Sequence, residues 1–351
     1  MGFAALGINC QTIKENITQI KDSIKRPPKV LLVAKADAYG LGAASICETL
    51  THTIDYIGVA NLNEATQLRN QGITTPILLL SEPFDFELDT ISALDIAVTV
   101  YTHSTIDEIS AFASKKSRPI KTHLKIDTGM TRLGTPWQDA IKTINYWHNS
   151  PDMVIKEGVY SHFANSDAPE HPLNKKQIDR FFKHKAIFNQ QMIHFSNSDA
   201  IKNIVDSHQN TIRIGLGAYQ NSFTLSAPIR HIQSIPENTS VGYGSTYTTS
   251  RPTTIAIIGM GYADGLSTQL SNQGHVIIND EKCPIVGKIC MDMFMAELPS
   301  PIHANPQDMA IILSPENTPG LSLNEMAKIT NQNPREVLTR LSPRVKRHYL
   351  I

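Results

Sequence analysis

Eight short apolar runs rich in β-branched residues occur before residue 220 and alternate with segments of helical periodicity. The strand-like runs are residues 29–35, 55–60, 76–81, 95–101, 121–126, 155–161, 192–196 and 211–215. The clearer helical segments are 15–23, 43–50, 63–71, 105–114, 139–148 and 174–190. This alternation is typical of βα units around a parallel sheet. Eight units in about 210 residues favour a (β/α)8 barrel over a doubly wound open sheet, which rarely needs eight regular repeats.

The pattern changes after residue 220. Short alternating strand-like runs at 254–258, 275–279, 283–289, 294–298 and 309–313 are separated by Gly, Pro and Asn, and helical segments follow at 323–331 and 335–341. Such spacing predicts a mainly antiparallel β domain. We therefore predict an α/β fold, with a TIM-type barrel over residues 1–219 and a β domain over 220–351. The first few residues are candidates to pair with the β domain.

Charge and cysteine content exclude several classes of partner. Lys+Arg and Asp+Glu both number 32, so no broad basic field is available for nucleic acid or an anionic membrane. Cys10, Cys47, Cys283 and Cys290 lie far apart, which argues against a disulfide framework or a zinc site, and the histidines show no metal-ligand spacing. The N-terminus lacks a secretory pattern and no apolar run reaches membrane-spanning length. The expectation is a cytoplasmic protein without a metal.

Polar side chains follow the predicted barrel strands, at the face where barrel enzymes place their active sites. The first run delivers Lys35, and a desolvated lysine amine can form a Schiff base or take a proton. A lysine that extends to solvent at a strand end is the alternative interpretation. The other strand ends supply Tyr39, Asn61, Lys125, Asp127, Arg132, His162, Asn197, Ser198, Arg213 and Gly215.

The last two barrel strands are typical of a phosphate site. Ser198 supplies a hydroxyl, and Gly215 and Gly217 let the backbone approach a ligand after the eighth strand, where barrels often bind phosphate. A reactive lysine together with a phosphate site points to pyridoxal phosphate.

The segment Ala34-Lys35-Ala36-Asp37-Ala38-Tyr39-Gly40 resembles the cofactor-lysine signature of alanine racemases. Further segments match in the family's order over nearly the whole chain, at 125–134, 158–164, 194–198, 212–217, 243–247, 261–265 and 290–292. The resemblance implies a barrel with a C-terminal β domain, bound pyridoxal 5'-phosphate, and a homodimer whose sites borrow residues from the partner. It also implies interconversion of L-alanine and D-alanine, which supplies D-alanine for peptidoglycan synthesis.

The resemblance assigns roles residue by residue. Lys35 would be the Schiff-base lysine and one catalytic base, and Tyr243 of the other subunit would be the base on the opposite face. Catalytic support would come from His162, Arg213 and Asp292. Cofactor contacts would come from Tyr39, Arg132, His162, Asn197, Ser198, Arg213, Gly215 and Leu216. Arg132, Met291 and Tyr262 would contact the substrate, and Lys125 is a candidate for carbamylation.

There are two alternatives to a racemase, and Arg213 argues against the first of them. An arginine keeps its proton, so a pyridine nitrogen facing it stays unprotonated, which weakens the electron sink and favours simple reprotonation. Decarboxylases of the same architecture present a carboxylate at that place. A non-catalytic single-barrel protein that binds pyridoxal phosphate is the third candidate, and the residues after the barrel, with Tyr243 among them, argue against it.

Three positions depart from the family pattern. Pro343 stands where some relatives have a phosphate-contacting tyrosine, Thr131 replaces a glycine common before Arg132, and Leu41 replaces a frequent histidine. The breadth of substrate use stays open, because an apolar pocket rejects one extra hydroxyl poorly and serine differs from alanine by that group.

Overall fold

The structure is a computed structural model that describes residues 4–188, 191–300 and 303–351. The chain divides into two compact units. The barrel unit contains Lys14–Ala38 and Ala43–Ala218. The sheet unit contains Tyr219–Ile351, Tyr39–Gly42 and the described residues up to Ile13.

The strands and helices are numbered here in chain order. The strands are β1 (Ala5–Asn9), β2 (Lys29–Val33), β3 (Tyr56–Val59), β4 (Ile77–Leu79), β5 (Ile96–Val100), β6 (Ile120–Asp127), β7 (Thr135–Pro136), β8 (Val154–Tyr160), β9 (Met192–His194), β10 (Thr211–Ile214), β11 (Phe223–Ile235), β12 (Ser240–Val241), β13 (Tyr247–Thr248), β14 (Thr253–Ile258), β15 (His275–Ile278), β16 (Glu281–Val286), β17 (Phe294–Leu298), β18 (Met309–Leu313) and β19 (Lys346–Leu350). The helices are α1 (Cys10–Asp22), α2 (Lys35–Gly40), α3 (Ala43–Thr49), α4 (Leu62–Asn70), α5 (Leu88–Ala93), α6 (His103–Lys116), α7 (Ala140–His148), α8 (Pro172–Phe182), α9 (Ser198–Asn203), α10 (Leu216–Tyr219), α11 (Leu323–Ile329) and α12 (Pro334–Thr339).

The barrel unit is a closed parallel sheet. Its strands follow the order β2-β3-β4-β5-β6-β8-β9-β10, β10 pairs with β2, and the short β7 lies beside β6. Val30, Leu31 and Leu32 are completely buried, as expected for a strand covered on both faces. The predicted (β/α)8 barrel is confirmed, and all eight predicted runs contain a strand.

The barrel helices begin where local capping allows. Asn61 caps α4, since its side-chain oxygen accepts a hydrogen bond from the Glu64 amide at 3.0 Å, and Thr102 caps α6 in the same way. Helix α8 begins at Pro172, a position where no amide donor is needed. It ends at Phe182, short of the predicted segment 174–190, whose last two residues lie outside the described residues.

The sheet unit is built on one sheet of eight strands in the order β14-β17-β16-β15-β18-β11-β1-β19. The 13-residue strand β11 pairs antiparallel with β1, β14 and β18. All pairings of this sheet are antiparallel except that of β1 with β19, which joins the two ends of the chain. The predicted, mainly antiparallel β domain is confirmed. No helix in the described part of the chain is long and apolar enough to span a membrane.

The turn that follows β2 is left-handed. Ala36, Asp37, Ala38 and Tyr39 have φ values of 52°, 54°, 52° and 61°. Left-handed backbone costs roughly 1–2 kcal/mol per residue for side chains with a Cβ. Part of this cost is offset because the Asp37 carboxylate accepts a hydrogen bond from the Ala43 amide at 2.7 Å. The strand therefore enters α3 through a strained turn, with Lys35 as the first residue of that turn.

Candidate active site

A group of basic side chains lies at the C-terminal ends of the barrel strands. Lys35 follows β2, Lys125 is in β6, and Arg213 is in β10. His162 follows β8, and Arg132 lies in the loop after β6. The positive charges of Lys35, Arg132 and Arg213 each act on Lys125 and on His162. The structure thus brings these five predicted site residues together in the barrel unit.

Arg213 is buried and held by several acceptors. One terminal nitrogen donates to the His194 carbonyl at 2.6 Å and contacts His194 Nδ1 at 3.0 Å. The other donates to the Ser161 carbonyl at 2.7 Å and contacts His162 Nδ1 at 3.1 Å. Burial lowers the pKa of Arg213 to about 10, so the guanidinium stays charged at neutral pH. The residue is a fixed cation with little freedom to move.

Lys125 and His162 have pKa values lowered by their surroundings. Burial, followed by the charges of Arg213 and Arg132, lowers the pKa of Lys125 to about 7. Burial and the same arginines lower the pKa of His162 well below its usual value. Both groups are therefore partly or fully neutral near pH 7. A region that suppresses additional positive charge in this way favours an anionic ligand.

The loop that carries Arg132 is organised by one carboxylate. Asp127 accepts hydrogen bonds from the amides of Gly129, Met130, Thr131 and Arg132, at 2.8 to 3.1 Å. Thr131 has a φ of 55°, a conformation that glycine adopts without strain. This geometry explains why glycine is common before Arg132 in the family pattern. The threonine keeps the glycine-like backbone here.

The predicted phosphate residues form a small cradle. The Asn197 side chain caps α9 by accepting a hydrogen bond from the Ala200 amide at 2.9 Å. The Ser198 hydroxyl accepts one from the Gly215 amide at 2.9 Å. A Cβ at Gly217 would lie 3.1 Å from the Ser198 hydroxyl oxygen, so a side chain there would crowd this hydroxyl. Leu216 begins α10 between the two glycines.

The remaining predicted residues belong to the sheet unit. Tyr243 begins a single 3-10 turn between Gly242 and Gly244, both with positive φ, and is 73% exposed. Tyr262 and Met291 are also exposed, and the turn after Tyr262 is fixed to Met291 because the Ala263 amide donates to its carbonyl at 3.0 Å. A Cβ at Gly261 would lie 2.2 Å from that carbonyl oxygen.

Two further residues of the sheet unit have defined neighbours. Asp292 pairs with Arg344 at 2.7 Å, and Arg344 also pairs with Asp264 at 3.2 Å. The residue after Pro343 therefore anchors the segment that contains Met291. Tyr39 packs against Tyr219, with ring centroids 5.5 Å apart.

The groups that are hydrogen-bonded to Arg213 through His194 were not predicted from the sequence. His123, Glu157 and Tyr56 form a hydrogen-bonded chain with His194 inside the barrel unit. His123 is a histidine in the middle of a predicted strand and is completely buried, a signal that could have been noticed. Among the described residues, no group of three or more His, Cys, Asp or Glu side chains is arranged to hold a metal ion.

Comparison with known families agrees with this geometry. The family profile described as "Alanine racemase, N-terminal domain" matches residues 8–222, and the profile described as "Alanine racemase, C-terminal domain" matches residues 222–349. The chain belongs to the alanine racemase family. Alanine racemase from Fusobacterium nucleatum is 34% identical, with 97% of this chain and 98% of that protein covered. Alanine racemase 2 from Caldanaerobacter subterraneus is 32% identical, with 98% and 94% covered.

Solved alanine racemase structures share the fold. The alanine racemase from Clostridium difficile 630 has a TM-score of 0.92 at 29% identity and covers 99% of this chain and 95% of its own. The enzyme from Bartonella henselae has a TM-score of 0.89 at 28% identity, with both chains fully covered, and that structure contains covalently bound pyridoxal phosphate.

Proposed function

We propose that this protein is a pyridoxal-phosphate-dependent alanine racemase that interconverts L-alanine and D-alanine with two bases. The observation that carries the proposal is the buried Arg213, fixed by carbonyl and imidazole acceptors among the barrel strand ends. We further propose a cytoplasmic homodimer that supplies D-alanine for peptidoglycan. In this assembly the barrel domain, 1–219, carries Lys35, and the β domain, 220–351, carries Tyr243.

The residues present fit this cofactor. The lowered pKa of Lys125 and His162 marks a region that favours an anion, and Ser198 with the glycine backbone at Gly215 and Gly217 suits a phosphate. Asn197 and Leu216 flank that cradle, and Tyr39 is proposed as a further phosphate contact by resemblance alone. Pyridoxal phosphate, when bound, withdraws electrons from the Cα of an attached amino acid and so acidifies the Cα–H.

Inversion at Cα needs proton removal on one face and proton delivery on the other. We assign the first face to the Lys35 amine and the second to the Tyr243 phenol of the partner subunit. A tyrosine with a reference pKa of ~10 needs help to act as a base at neutral pH. His162 can give it: its Nδ1 accepts from Arg213, so its proton is on Nε2, from which it can donate to a phenolate.

Substrate binding is assigned to charged and amide groups. Arg132 would pair with the substrate carboxylate, because an arginine matches a carboxylate with two parallel donors. The Met291 amide of the partner subunit would donate to the same carboxylate, and the partner's Tyr262 would narrow the entrance. The Asp292–Arg344 ion pair would hold Met291 in place.

The test of the proposed function is a racemisation assay. Purified protein with pyridoxal phosphate and L-alanine is expected to produce D-alanine until both enantiomers are equal, as measured by chiral chromatography. L-serine and other amino acids in the same assay define the breadth of substrate use. Cofactor-free protein assayed without added pyridoxal phosphate is the control. Release of carbon dioxide from lysine, ornithine or diaminopimelate without formation of D-alanine would establish the decarboxylase alternative instead.

We also propose that Lys125 is carbamylated. Its neutral amine attacks carbon dioxide, forms an N–C bond and releases one proton, and the resulting anion is stabilised by Arg132 and Arg213. A pKa of about 7 means that about a tenth of the amines are neutral at pH 6 and about nine-tenths at pH 8. Carbamylation is therefore expected to increase over this range.

This expectation can be measured by 13C NMR in 13C-bicarbonate. A protein-bound carbamate signal should appear at pH 8 and fade towards pH 6. Lys125→Arg, which keeps a positive charge but has no amine of this type, is the matched control and should show no such signal. A signal of equal size in Lys125→Arg, or none in the wild type at pH 8, contradicts the proposal.

A further inference from the structure

A continuous line of hydrogen bonds connects Glu157 to Arg213 through two histidines. Glu157 Oε2 lies 3.1 Å from His123 Nε2, and His123 Nδ1 lies 2.9 Å from His194 Nε2. His194 Nδ1 in turn lies 3.0 Å from an Arg213 terminal nitrogen. Both histidines are completely buried, and Glu157 keeps a quarter of its side chain exposed. The line therefore connects Arg213 to a carboxylate that reaches solvent.

The chemistry of the groups allows one arrangement of protons. A guanidinium can only donate, so Nδ1 of His194 must accept and its proton must be on Nε2. That proton can only be accepted by a bare Nδ1 on His123, which places the His123 proton on Nε2. The last group must then be an acceptor, and the ionised Glu157 is one. A proton on Nδ1 of either histidine would set two donors against each other.

Ionisation of the groups agrees with this arrangement. Burial alone would raise the pKa of Glu157, but hydrogen bonds from His123 and Tyr56 lower it below its usual value. Burial, followed by the charge of Arg213, lowers the pKa of His194 well below the usual value for histidine. The carboxylate is thus charged and His194 is neutral at pH 7.

Two features of the backbone allow these hydrogen bonds to form. The pairing of β6 with β8 shifts at His123: Thr122 pairs with Lys156 and His123 with Gly158, so Glu157 is the extra residue of a β-bulge. Bulges re-aim side chains in this way. A Cβ at Gly158 would lie 2.3 Å from His123 Nδ1, so the glycine makes room for the ring. The geometry of the strand pair is adapted to this one histidine.

We propose that Glu157 is a positioning residue that acts through His123 and His194 to fix the orientation of Arg213. The carboxylate accepts the last proton of the line and so, together with the donor Arg213 at the other end, fixes the tautomer of both histidines. With His194 Nδ1 held bare, Arg213 keeps a permanent acceptor and one orientation of its guanidinium plane. The consequence for catalysis rests on the proposed function, in which Arg213 would meet the ring nitrogen of the bound cofactor. The assignment of the histidine tautomers does not depend on that function.

The first test uses the wild-type protein. Ring 15N NMR of the pyridoxal-phosphate-loaded protein, labelled on histidine, should show His123 and His194 protonated on Nε2 and bare on Nδ1, with signals assigned from His123→Asn and His194→Asn. A proton on Nδ1 of either ring overturns the proposal. This result does not depend on turnover, so it separates failure of this proposal from failure of the proposed function.

The second test compares two replacements of Glu157. Glu157→Leu removes the acceptor and is expected to place a proton on His123 Nδ1 and to lower kcat about tenfold with KM within about twofold, the low end for loss of an outer hydrogen-bond partner. Glu157→Gln keeps an acceptor oxygen and should restore wild-type tautomers and kcat to within about threefold. Tyr56→Phe is the matched control, since it removes a donor to Glu157 but keeps the ring that packs edge-on against His123.

Wild-type tautomers and kcat in Glu157→Leu contradict the proposal, as does an equal loss in the Leu and Gln variants. If Glu157→Leu does not fold, Glu157→Asp replaces it. The shorter side chain withdraws the acceptor from His123 Nε2, so the same shift of tautomer is expected, and its absence contradicts the proposal in the same way.

Discussion

Replacing Lys35 with alanine is expected to abolish racemisation, by at least about 10⁴-fold, because this single amine both attaches the cofactor and moves a proton at Cα. Covalent attachment should be lost as well. Borohydride treatment of the wild type should add the mass of the reduced cofactor to one peptide, the one that contains Lys35. The same treatment should leave Lys35→Ala unlabelled.

The matched control for this variant lies on the same strand. Lys29 is the exposed first residue of β2, and Lys29→Ala removes a lysine without touching the strand's C-terminal end. Full turnover and full labelling are expected of it. Racemisation by Lys35→Ala within tenfold of the wild type, or labelling at a different lysine, would show that another amine does this work.

Replacing Tyr243 with phenylalanine is expected to lower racemisation by at least about 10²-fold, since the proton on one face of Cα then has no base. The other base remains, so one alanine enantiomer should still exchange its Cα hydrogen with deuterium from D2O. Tyr146→Phe is the matched control: it removes the hydroxyl of another exposed tyrosine, one that donates to Asp107, and should retain full turnover.

Mixed dimers test whether Tyr243 acts on the partner's site. Random pairing of Lys35→Ala chains with Tyr243→Phe chains gives about half mixed dimers, each with one intact site and one doubly altered site. Turnover should then recover to about a quarter of the wild-type value, from two variants that are each inactive. If both bases come from the same chain, every mixed dimer lacks a base at each site and turnover stays near zero.

The fold could be predicted because strands buried on both faces appear in the sequence as continuous apolar runs. Runs such as the one that contains Val30, Leu31 and Leu32 are continuous and apolar, and their number decided the architecture. The strand ends then placed Lys35, His162 and Arg213 at one face, and the structure brings them together. Seven of the eight strand ends were predicted one or two residues too long, and the end of β6 was predicted one residue too short.

Other features could not be predicted because they depend on backbone handedness and register. Nothing in the side chains of Ala36 or Ala38 indicates a positive φ, and Thr131 adopts one although it is β-branched. The hydrogen bonds from Glu157 to Arg213 join residues far apart in the chain and depend on a bulge that pairing alone defines. Sequence spacing carries no information about such contacts.

Because β1 pairs with β19, the sheet unit can be completed only after nearly the whole described chain has been synthesised. Leu6 and Ile8, on β1, are completely buried in the finished sheet, and the partner strand β19 is synthesised ~340 residues later. At 5–20 residues per second the intervening ~340 residues take roughly 17–70 s to translate. During that interval the first strand has no β19 to pair with. Completion of the sheet therefore waits until β19 has been synthesised, and a ribosome stalled before residue 346 holds a chain with an open β1 edge.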